Sequence, residues 1–273
     1  MPEQPTQSIV RFEHATLWFE DTPALDHVSF EVRTGETRVI FGAAGSGKTT
    51  LLKAASGLVR PDSGHVFLFG QDIARLSEHD LIDLRSRVGI LFQEGGLFDS
   101  LTIEENVAYP LIYQRGRKAK LAEVRPRVEE SLGFVELEHT LDKFPSELSG
   151  GMRRRVGIAR ANVTAPPLVL YDSPTAGLDP ITANTIVSLI IKERDTIRTT
   201  SIVVTHRYMN AHLLANFRYN PGSGRIEPAS QNGEHADLKT TFMVLREGRL
   251  VFEGTQQEIE ASKDPYVAIF VKR

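Results

Sequence analysis

The sequence predicts an α/β protein with a parallel β-sheet that is covered by helices on both faces. Short apolar runs alternate with helical segments along much of the chain, which is typical of such sheets. A glycine-rich loop separates an apolar run at 37–41 from a helical segment at 48–56. Two further apolar runs, 168–171 and 201–205, are followed by the polar residues Asp172 and His206. Ligands collect at such strand ends in open α/β sheets.

The first part of the chain predicts mostly strands, because apolar residues recur there in short runs between turn residues. These strands lie at 9–17, 25–32, 37–41, 65–69 and 88–92. The helix at 48–56 is expected to end at Gly57, since glycine is common just after helix C-termini. A second helical segment is predicted at 80–87.

From 102 to 160 the pattern predicts mostly helices. Glu104 and Glu105 lie in the first turn of one helix, where carboxylates are favoured by the helix dipole. Further elements are expected as a helix at 181–194 and strands at 168–171, 201–205, 241–245 and 250–252. The segment 217–239 is rich in Gly, Asn, Ser and Pro, which indicates a surface loop or flexible insertion. The amphipathic tail 264–273 either docks on its own domain or contacts another subunit.

Composition excludes several classes of function. The chain has 273 residues, 41% hydrophobic and 25% charged, with a net charge of −3 and no cysteine. Without cysteine it has no disulfide or thiolate metal site. Its net charge does not favour binding to nucleic acid, so the arginines at 153–155 are expected on a solvated face or against an anionic partner. No run reaches the ~20 apolar residues of a membrane-spanning helix, so another chain would have to supply any span.

The loop at 42–49, Gly-Ala-Ala-Gly-Ser-Gly-Lys-Thr, has the pattern of a phosphate-binding loop. It follows a predicted strand and opens a predicted helix, as the pattern requires. Glycines let successive N–H groups point into one concavity, and the helix N-terminus adds positive partial charge. Lys48 would reach the β- and γ-phosphates of a nucleotide, and Thr49 would offer its hydroxyl to Mg²⁺.

Several later motifs distinguish this chain among the many NTPases that have such a loop. They are Gln93 after a strand, Leu-Ser-Gly-Gly-Met at 148–152 before a basic helix, Asp172 at a strand end, Ala-Gly-Leu-Asp at 176–179, and His206 after another strand. In this order and context, the set resembles the ABC ATPase family across nearly the whole chain. The resemblance implies a P-loop NTPase fold, an ABC nucleotide-binding domain with a mixed sheet core, an inserted helical subdomain and an antiparallel β region.

The resemblance also implies a domain layout. Residues 1–255 would form the nucleotide-binding domain, with the helical subdomain at about 94–165 and the polar insertion at about 217–239. Residues 256–273 would form a C-terminal helix and tail.

The resemblance implies roles for matching residues. ATP would be bound by the Walker A residues Gly42, Ala43, Ala44, Gly45, Ser46, Gly47, Lys48, Thr49 and Thr50. Mg²⁺ would be held by Thr49, the Q-loop residue Gln93 and the Walker B residue Asp172. The signature residues Ser149, Gly150 and Gly151 would close over the γ-phosphate of a second subunit, together with the D-loop residue Asp179. Phe19 would stack on adenine, with Trp18 as the rival, and His206 would contact the γ-phosphate as the switch histidine.

Individually, some of these residues have simpler interpretations. Gln93 could end a strand, Asp179 could cap the helix that begins at Pro180, and His206 could be an exposed loop histidine.

The chain departs from the family at Ser173, where the family usually has the glutamate that acts as general base. Serine has no carboxylate for this role. The residues expected to take part in catalysis are Lys48, Gln93, Asp172 and His206, with Ser173 in the place of the base. Three explanations stay open: slow hydrolysis that relies on His206, substitution by another carboxylate such as Glu94, or a heterodimer whose partner supplies a competent site.

Four parts of the chain are similar to Mla-type ATPases: the stretch from Phe92 to Leu111, Met152 of the signature, the segment 179–182 and the tail at 264–267. This resemblance implies phospholipid traffic between membranes, a second ATPase subunit, a transmembrane permease, a lipid-binding substrate protein and a place on the cytoplasmic face of the inner membrane. A short permease helix would dock near Leu97 and Phe98, which could instead pack internally. The alternatives are an importer of amino acids or metal ions, a hydrolysis-deficient ATP-gated subunit, and a soluble ABC protein acting on DNA or the ribosome.

Overall fold

The computed structural model describes residues 8–113, 121–230 and 239–272. The strands of this part of the chain are β1 (Ser8–Phe19), β2 (Thr22–Arg33), β3 (Thr37–Gly42), β4 (Ser63–Leu68), β5 (Gln71–Asp72), β6 (Val88–Leu91), β7 (Leu168–Asp172), β8 (Thr200–Val204), β9 (Phe217–Asn220), β10 (Arg225–Pro228), β11 (Thr240–Arg246) and β12 (Arg249–Gly254). The helices are α1 (Lys48–Ala55), α2 (Glu78–Arg85), α3 (Ile103–Tyr113), α4 (Leu121–Phe134), α5 (Gly150–Asn162), α6 (Pro180–Ile197), α7 (Tyr208–Asn216), α8 (Gln256–Glu260) and α9 (Pro265–Val271).

The central sheet has six strands in the order β12-β11-β3-β8-β7-β6. Its strands are parallel except for β12, which pairs antiparallel with β11 at one edge. The sheet is covered on both faces, so successive side chains along one strand enter different cores. In β3, Phe41 packs in one cluster with the helices α3–α7, whereas Ile40 packs in the other with α1 and the antiparallel strands. The predicted mixed sheet is therefore confirmed.

A second, antiparallel sheet has the order β2-β1-β4-β5 and closes over α1. The residues predicted to be buried in β2, among them Leu25 and Val28, are buried. The helices α3, α4 and α5 form the predicted helical insertion between β6 and β7. Helix α2 begins two residues earlier than expected because Ser77 caps it: the Ser77 hydroxyl accepts a hydrogen bond from the Asp80 N–H at 3.2 Å.

The segment 217–239, predicted as a loop, contains the hairpin β9–β10, so that prediction was wrong for these eight strand residues. The hairpin is attached to α6, because Arg194 donates to the Phe217 carbonyl at 2.7 Å and the Tyr219 N–H donates to Asp195 at 2.7 Å. The turn residues that dominated the composition lie at its tip, at 221–224. The rest of the predicted insertion, 231–238, lies outside the described residues.

The tail packs on its own domain. Helix α9 begins at Pro265, and the Asp264 carboxylate caps it by accepting from the Tyr266 and Val267 N–H groups. Val267 and Phe270 are buried in the cluster that also holds Phe41. In the described part of the chain, none of the helices has the length and apolar character needed to cross a membrane.

Candidate functional site

The phosphate-binding loop joins β3 to α1 at the carboxyl end of the central sheet. Gly47 precedes the helix with a φ of +99°, and a Cβ at this position would lie 2.2 Å from the Ala24 carbonyl oxygen. Only glycine fits this close approach in this backbone conformation. The Ser46 N–H closes a turn onto the Ala43 carbonyl at 3.2 Å. The loop is therefore tight, and the N-terminus of α1 faces its concavity.

Lys48, the first residue of α1, folds back over this loop. Its ammonium nitrogen donates to the carbonyls of Gly42 at 2.9 Å and Ala43 at 2.6 Å, and to the Ser46 hydroxyl at 3.2 Å. Burial lowers the pKa of Lys48, and the Asp172 carboxylate acts in the opposite direction. The positive charge is thus held at the mouth of the loop, where an anionic ligand would be stabilised.

Thr49 and Asp172 form a pair of hard oxygen ligands beside the loop. The Thr49 hydroxyl donates to Asp172 Oδ2 at 3.0 Å, and Asp172 is buried at the end of β7. Mg²⁺ is usually bound by one or two carboxylates together with substrate phosphates. The two side chains fit that chemistry. In the described residues, this site included, no three or more His, Asp or Glu side chains are grouped so that they could hold a metal ion by themselves, so the nucleotide phosphates would have to supply further oxygen ligands.

Ser173 follows Asp172 in the left-handed region, with a φ of +51°. Its N–H donates to the Val204 carbonyl at 3.1 Å, which fixes the turn to β8. Its hydroxyl donates to Asp172 Oδ1 at 3.3 Å. The residue therefore lies where a catalytic base is expected, but its only side-chain proton is directed at a carboxylate.

His206 lies just after β8 at the same edge of the sheet and is exposed. Its pKa is lowered, first by burial of the ring and then by the charges of Arg207 and Lys48. Both cations disfavour the charged form of the imidazole. His206 thus lies at the same edge of the sheet as the phosphate-binding loop, and its exposure would also suit an ordinary loop histidine.

The signature residues form a separate cluster with Asp179. The Ser149 hydroxyl caps α5 by accepting from the Met152 N–H at 3.3 Å. A Cβ on Gly151 would lie 2.5 Å from the Thr182 side chain, so α5 packs directly on the start of α6. Asp179 caps α6 by accepting from the Ile181 and Thr182 N–H groups at 3.0 Å each.

The simpler interpretation of Asp179 as a helix cap is therefore confirmed, and its pKa is lowered mainly by hydrogen bonds from Thr182. Within the described ranges, no hydrogen bond joins Ser149, Gly150, Gly151 or Asp179 to the phosphate-binding loop.

The loop after β6 holds Gln93, Glu94 and a glycine pair. Gln93 and Glu94 are exposed, and Glu94 has a φ of +62°. Glu94 lies near Arg154, whose lowered pKa results from burial and is partly restored by the Glu94 charge. The carbonyls of Gly95 and Gly96 accept from Arg160 of α5 at 3.0 and 2.8 Å. This loop is thereby attached to the signature helix.

A groove of about 360 Å³ lies beside the glycine pair, with Phe92, Phe98, Tyr109 and Arg160 in its wall. Phe98 is 43% exposed and packs against Tyr109 with ring centroids 4.8 Å apart. Leu97 packs instead on the main core, which agrees with the alternative of internal packing for this residue. The side chain of Leu97 anchors the loop internally.

Trp18 and Phe19 end β1 and are 48% and 53% exposed. Both rings are exposed and could contact a ligand. Phe19 therefore stays the predicted adenine contact, with Trp18 as the alternative.

Two contacts at the site were missed from the sequence. The Tyr266 hydroxyl of the tail accepts a hydrogen bond from the Ala43 N–H at 3.1 Å. Asn210 of α7 donates to the Thr175 hydroxyl at 2.6 Å and to the Thr205 hydroxyl at 3.3 Å, which connects the segments before Asp179 and His206. Neither contact belongs to a local motif, and the amphipathic pattern of the tail indicated packing but not this hydrogen bond.

Comparison with known proteins places this site in a family. The family model described as "ABC transporter" matches residues 25–176. The methionine import ATP-binding protein MetN of Mesorhizobium japonicum is 42% identical over 222 residues, or 81% of this chain and 60% of that protein. The intermembrane phospholipid transport system ATP-binding protein MlaF of Haemophilus influenzae is 33% identical over 266 residues, or 97% of this chain and 91% of that protein. The chain thus spans less than two thirds of the MetN relative and most of the MlaF relative.

Solved structures agree with the sequence comparisons. The dimeric bacterial ABC transporter cassette MJ0796 superposes with a TM-score of 0.76 at 29% identity, covering 90% of this chain and 98% of that one. The same cassette in a post-hydrolysis dimer bound to ADP and Pi gives a TM-score of 0.74 at 30% identity, with the same coverage. The chain is therefore a member of the ABC transporter family and carries its ATPase cassette.

Proposed function

We propose that this chain is the ATP-hydrolysing subunit of an ABC transporter and that it works as a dimer on a membrane-embedded permease. The main support is the arrangement of Lys48, Thr49 and Asp172 at one edge of the central sheet. Hydrogen bonds of 2.6–3.2 Å join Lys48 to the phosphate-binding loop, and one of 3.0 Å joins Thr49 to Asp172. Lys48 would bind the β- and γ-phosphates of ATP. Mg²⁺, held by Thr49, Asp172 and Gln93, would supply charge neutralisation at the transferred phosphate.

The dimer is supported by the separate signature cluster. Ser149, Gly150 and Gly151 start a helix whose free N–H groups can bind an anion, yet the loop of the same chain is not hydrogen-bonded to them. Ile181, two residues after Asp179, is 80% exposed, which suits a surface that a second subunit covers. A second copy arranged head to tail would bring its nucleotide to Ser149.

A permease helix would occupy the groove beside Gly95 and Gly96, where the exposed rings of Phe92, Phe98 and Tyr109 offer an apolar wall. In this proposal the chain works on the cytoplasmic face of a membrane. Recovery of the full chain from detergent-solubilised membranes together with an integral membrane protein would support this role, and recovery of the chain alone would count against it.

Phospholipid trafficking, with a lipid-binding substrate protein as a further partner, is the favoured transport role. The MlaF relative aligns with 97% of this chain, whereas the MetN relative aligns with 81% of it. Import of an amino acid such as methionine is the second candidate, because the identity to MetN is higher at 42%. Stimulation of the purified complex by phospholipid vesicles rather than by free methionine would distinguish the two.

The nucleotide role is tested by Lys48→Ala. Loss of a charge-assisted contact to phosphate is expected to weaken Mg-ATP binding by about 10- to 100-fold, measured by isothermal titration calorimetry on the full chain. Lys53→Ala is the matched control, because Lys53 lies in the same helix but is exposed. Unchanged ATP affinity in Lys48→Ala would contradict the proposed site.

A further inference from the structure

A single peptide unit of the phosphate-binding loop is fixed from both sides. The carbonyl of Gly42 accepts from the Lys48 ammonium at 2.9 Å. The N–H of Ala43, in the same peptide, donates to the Tyr266 hydroxyl at 3.1 Å. Because a peptide unit is planar, the orientation of its N–H also sets the direction of its carbonyl, and hence the position of the lysine that this carbonyl holds.

The Tyr266 hydroxyl is itself fixed. It donates to the Leu245 carbonyl at 3.1 Å, so its one proton and one of its acceptor positions are both used. Leu245 lies opposite Gly42 in the pairing of β11 with β3. A Cβ on Gly42 would come within 2.6 Å of the Leu245 oxygen, which shows how closely the loop approaches this strand. The hydroxyl thus links the strand end to the loop.

The aromatic ring of Tyr266 is held by packing. It makes an edge contact with Phe270 at 5.3 Å between centroids, and the Arg246 guanidinium lies 5.2 Å from its centroid. Phe270 in turn stacks on Phe41, one residue before Gly42, at 5.9 Å. A phenylalanine at position 266 would keep these ring contacts, so only the hydroxyl reaches the loop.

We propose that Tyr266 is a positioning residue of the nucleotide site, which fixes the Gly42–Ala43 peptide and thereby aims Lys48 at the terminal phosphates of a nucleoside triphosphate. The inference rests on the proposed phosphate-binding role of Lys48. It assigns the tail a part in the ATPase site of its own chain.

The test is Tyr266→Phe in the full chain. Loss of one neutral hydrogen bond is expected to weaken Mg-ATP binding by about 3- to 10-fold. Mg-ADP binding should weaken by a smaller factor, because ADP lacks the γ-phosphate that Lys48 would contact. Hydrogen exchange at the Ala43 amide should accelerate, which NMR can follow. Affinity for Mg-ATP within twofold of the wild type, or equal losses for both nucleotides, would overturn the proposal.

Phe270→Leu is the matched control, since it weakens packing of the same helix but keeps the hydroxyl. We expect a lower melting temperature with a smaller loss of ATP affinity than in Tyr266→Phe, and an equal loss would overturn the proposal. Lys48→Ala distinguishes a failure of the proposed function from a failure of the role proposed for Tyr266. If it kept full ATP affinity, the proposed function itself would fail, whereas wild-type behaviour of Tyr266→Phe alone would remove only the role of Tyr266.

Discussion

Asp172 is shared between two hydroxyl groups. Its Oδ2 accepts from Thr49 and its Oδ1 accepts from Ser173. The Ser173 hydroxyl is thereby used as a donor to a carboxylate, and it has no group that could take a proton from water at neutral pH. Binding of ATP and loss of a general base are therefore compatible at this site.

We expect Ser173→Glu to raise the rate of ATP hydrolysis. A positioned general base contributes about 10²–10⁴-fold in enzymes, and serine already occupies the left-handed backbone of this position, so glutamate adds little further strain. An increase in kcat of roughly tenfold or more is expected, with KM little changed. Steady-state phosphate release by the full chain measures it.

Ser173→Gln has a side chain of the same size without a base, so its kcat should remain at or below that of the wild type. Equal rates for Ser173→Glu and the wild type would show that the missing carboxylate is not limiting. In that case Glu94→Gln should be measured, because Glu94 is the alternative carboxylate suggested by its place beside Gln93.

At the scale of elements, the signature helix α5 is packed directly on the loop that carries Gln93. A Cβ on Gly157 would lie 2.6 Å from the Leu91 side chain and 3.0 Å from the Gly95 carbonyl oxygen. Arg160, one turn further along α5, donates to the two glycine carbonyls of the loop. A displacement of the docking groove must therefore move α5 or break these contacts.

Gly157→Ala is expected to destabilise the protein by about 1–3 kcal/mol, because the added methyl overpacks this contact. Gly133→Ala is the matched control, since Gly133 lies in α4 with open space around its Cα. The control should gain up to about 1 kcal/mol from higher helix propensity. Urea unfolding of both variants measures the difference, and equal stability would mean that α5 and the loop are not tightly packed.

The elements themselves were largely predictable, because each depends on local patterns such as the apolar run of β3 and the glycine at the end of α1. The hairpin β9–β10 was not, since its short strands are only partly buried and depend on side chains of α6, such as Asp195. The contact between Ala43 and Tyr266 was not predictable either. It joins residues 223 positions apart through one hydrogen bond, and a single long-range bond produces no periodic pattern in sequence.

Across the whole molecule, a buried polar cluster joins β7, the strand that ends at Asp172, to the helices α5 and α6. The Tyr171 hydroxyl of β7 donates to Glu193 Oε2 of α6 at 2.5 Å, and the Asn162 amide of α5 donates to the same oxygen at 2.5 Å. Glu193 is 1% exposed. In the described structure its other oxygen has no hydrogen-bond partner, as expected for a carboxyl group that stays neutral.

Burial raises the pKa of Glu193 to about 8 from an ordinary 4.5, although the hydrogen bonds from Tyr171 and Asn162 act against this rise. Below pH 4.5 the carboxyl is protonated in the folded and the unfolded chain alike. Between pH 4.5 and 8 the unfolded chain releases the proton while the folded chain keeps it, so the free energy of unfolding falls as pH rises. Above pH 8 this decrease ends.

Glu193→Gln should remove this pH dependence, because the amide oxygen can accept the same two hydrogen bonds and carries no titrating proton. Relative to the wild type, the variant should gain on the order of 3 kcal/mol in free energy of unfolding between pH 5 and pH 8, measured by urea unfolding at both values. Glu258→Gln is the control, because the pKa of Glu258 is shifted in the opposite direction from that of Glu193. The exposed Glu258 has a pKa lowered by hydrogen bonds from Thr255, so its replacement should bring no gain as pH rises. The same pH dependence in Glu193→Gln and the wild type would show that Glu193 is ionised in the folded protein, and that the cluster behind Asp172 carries a buried charge.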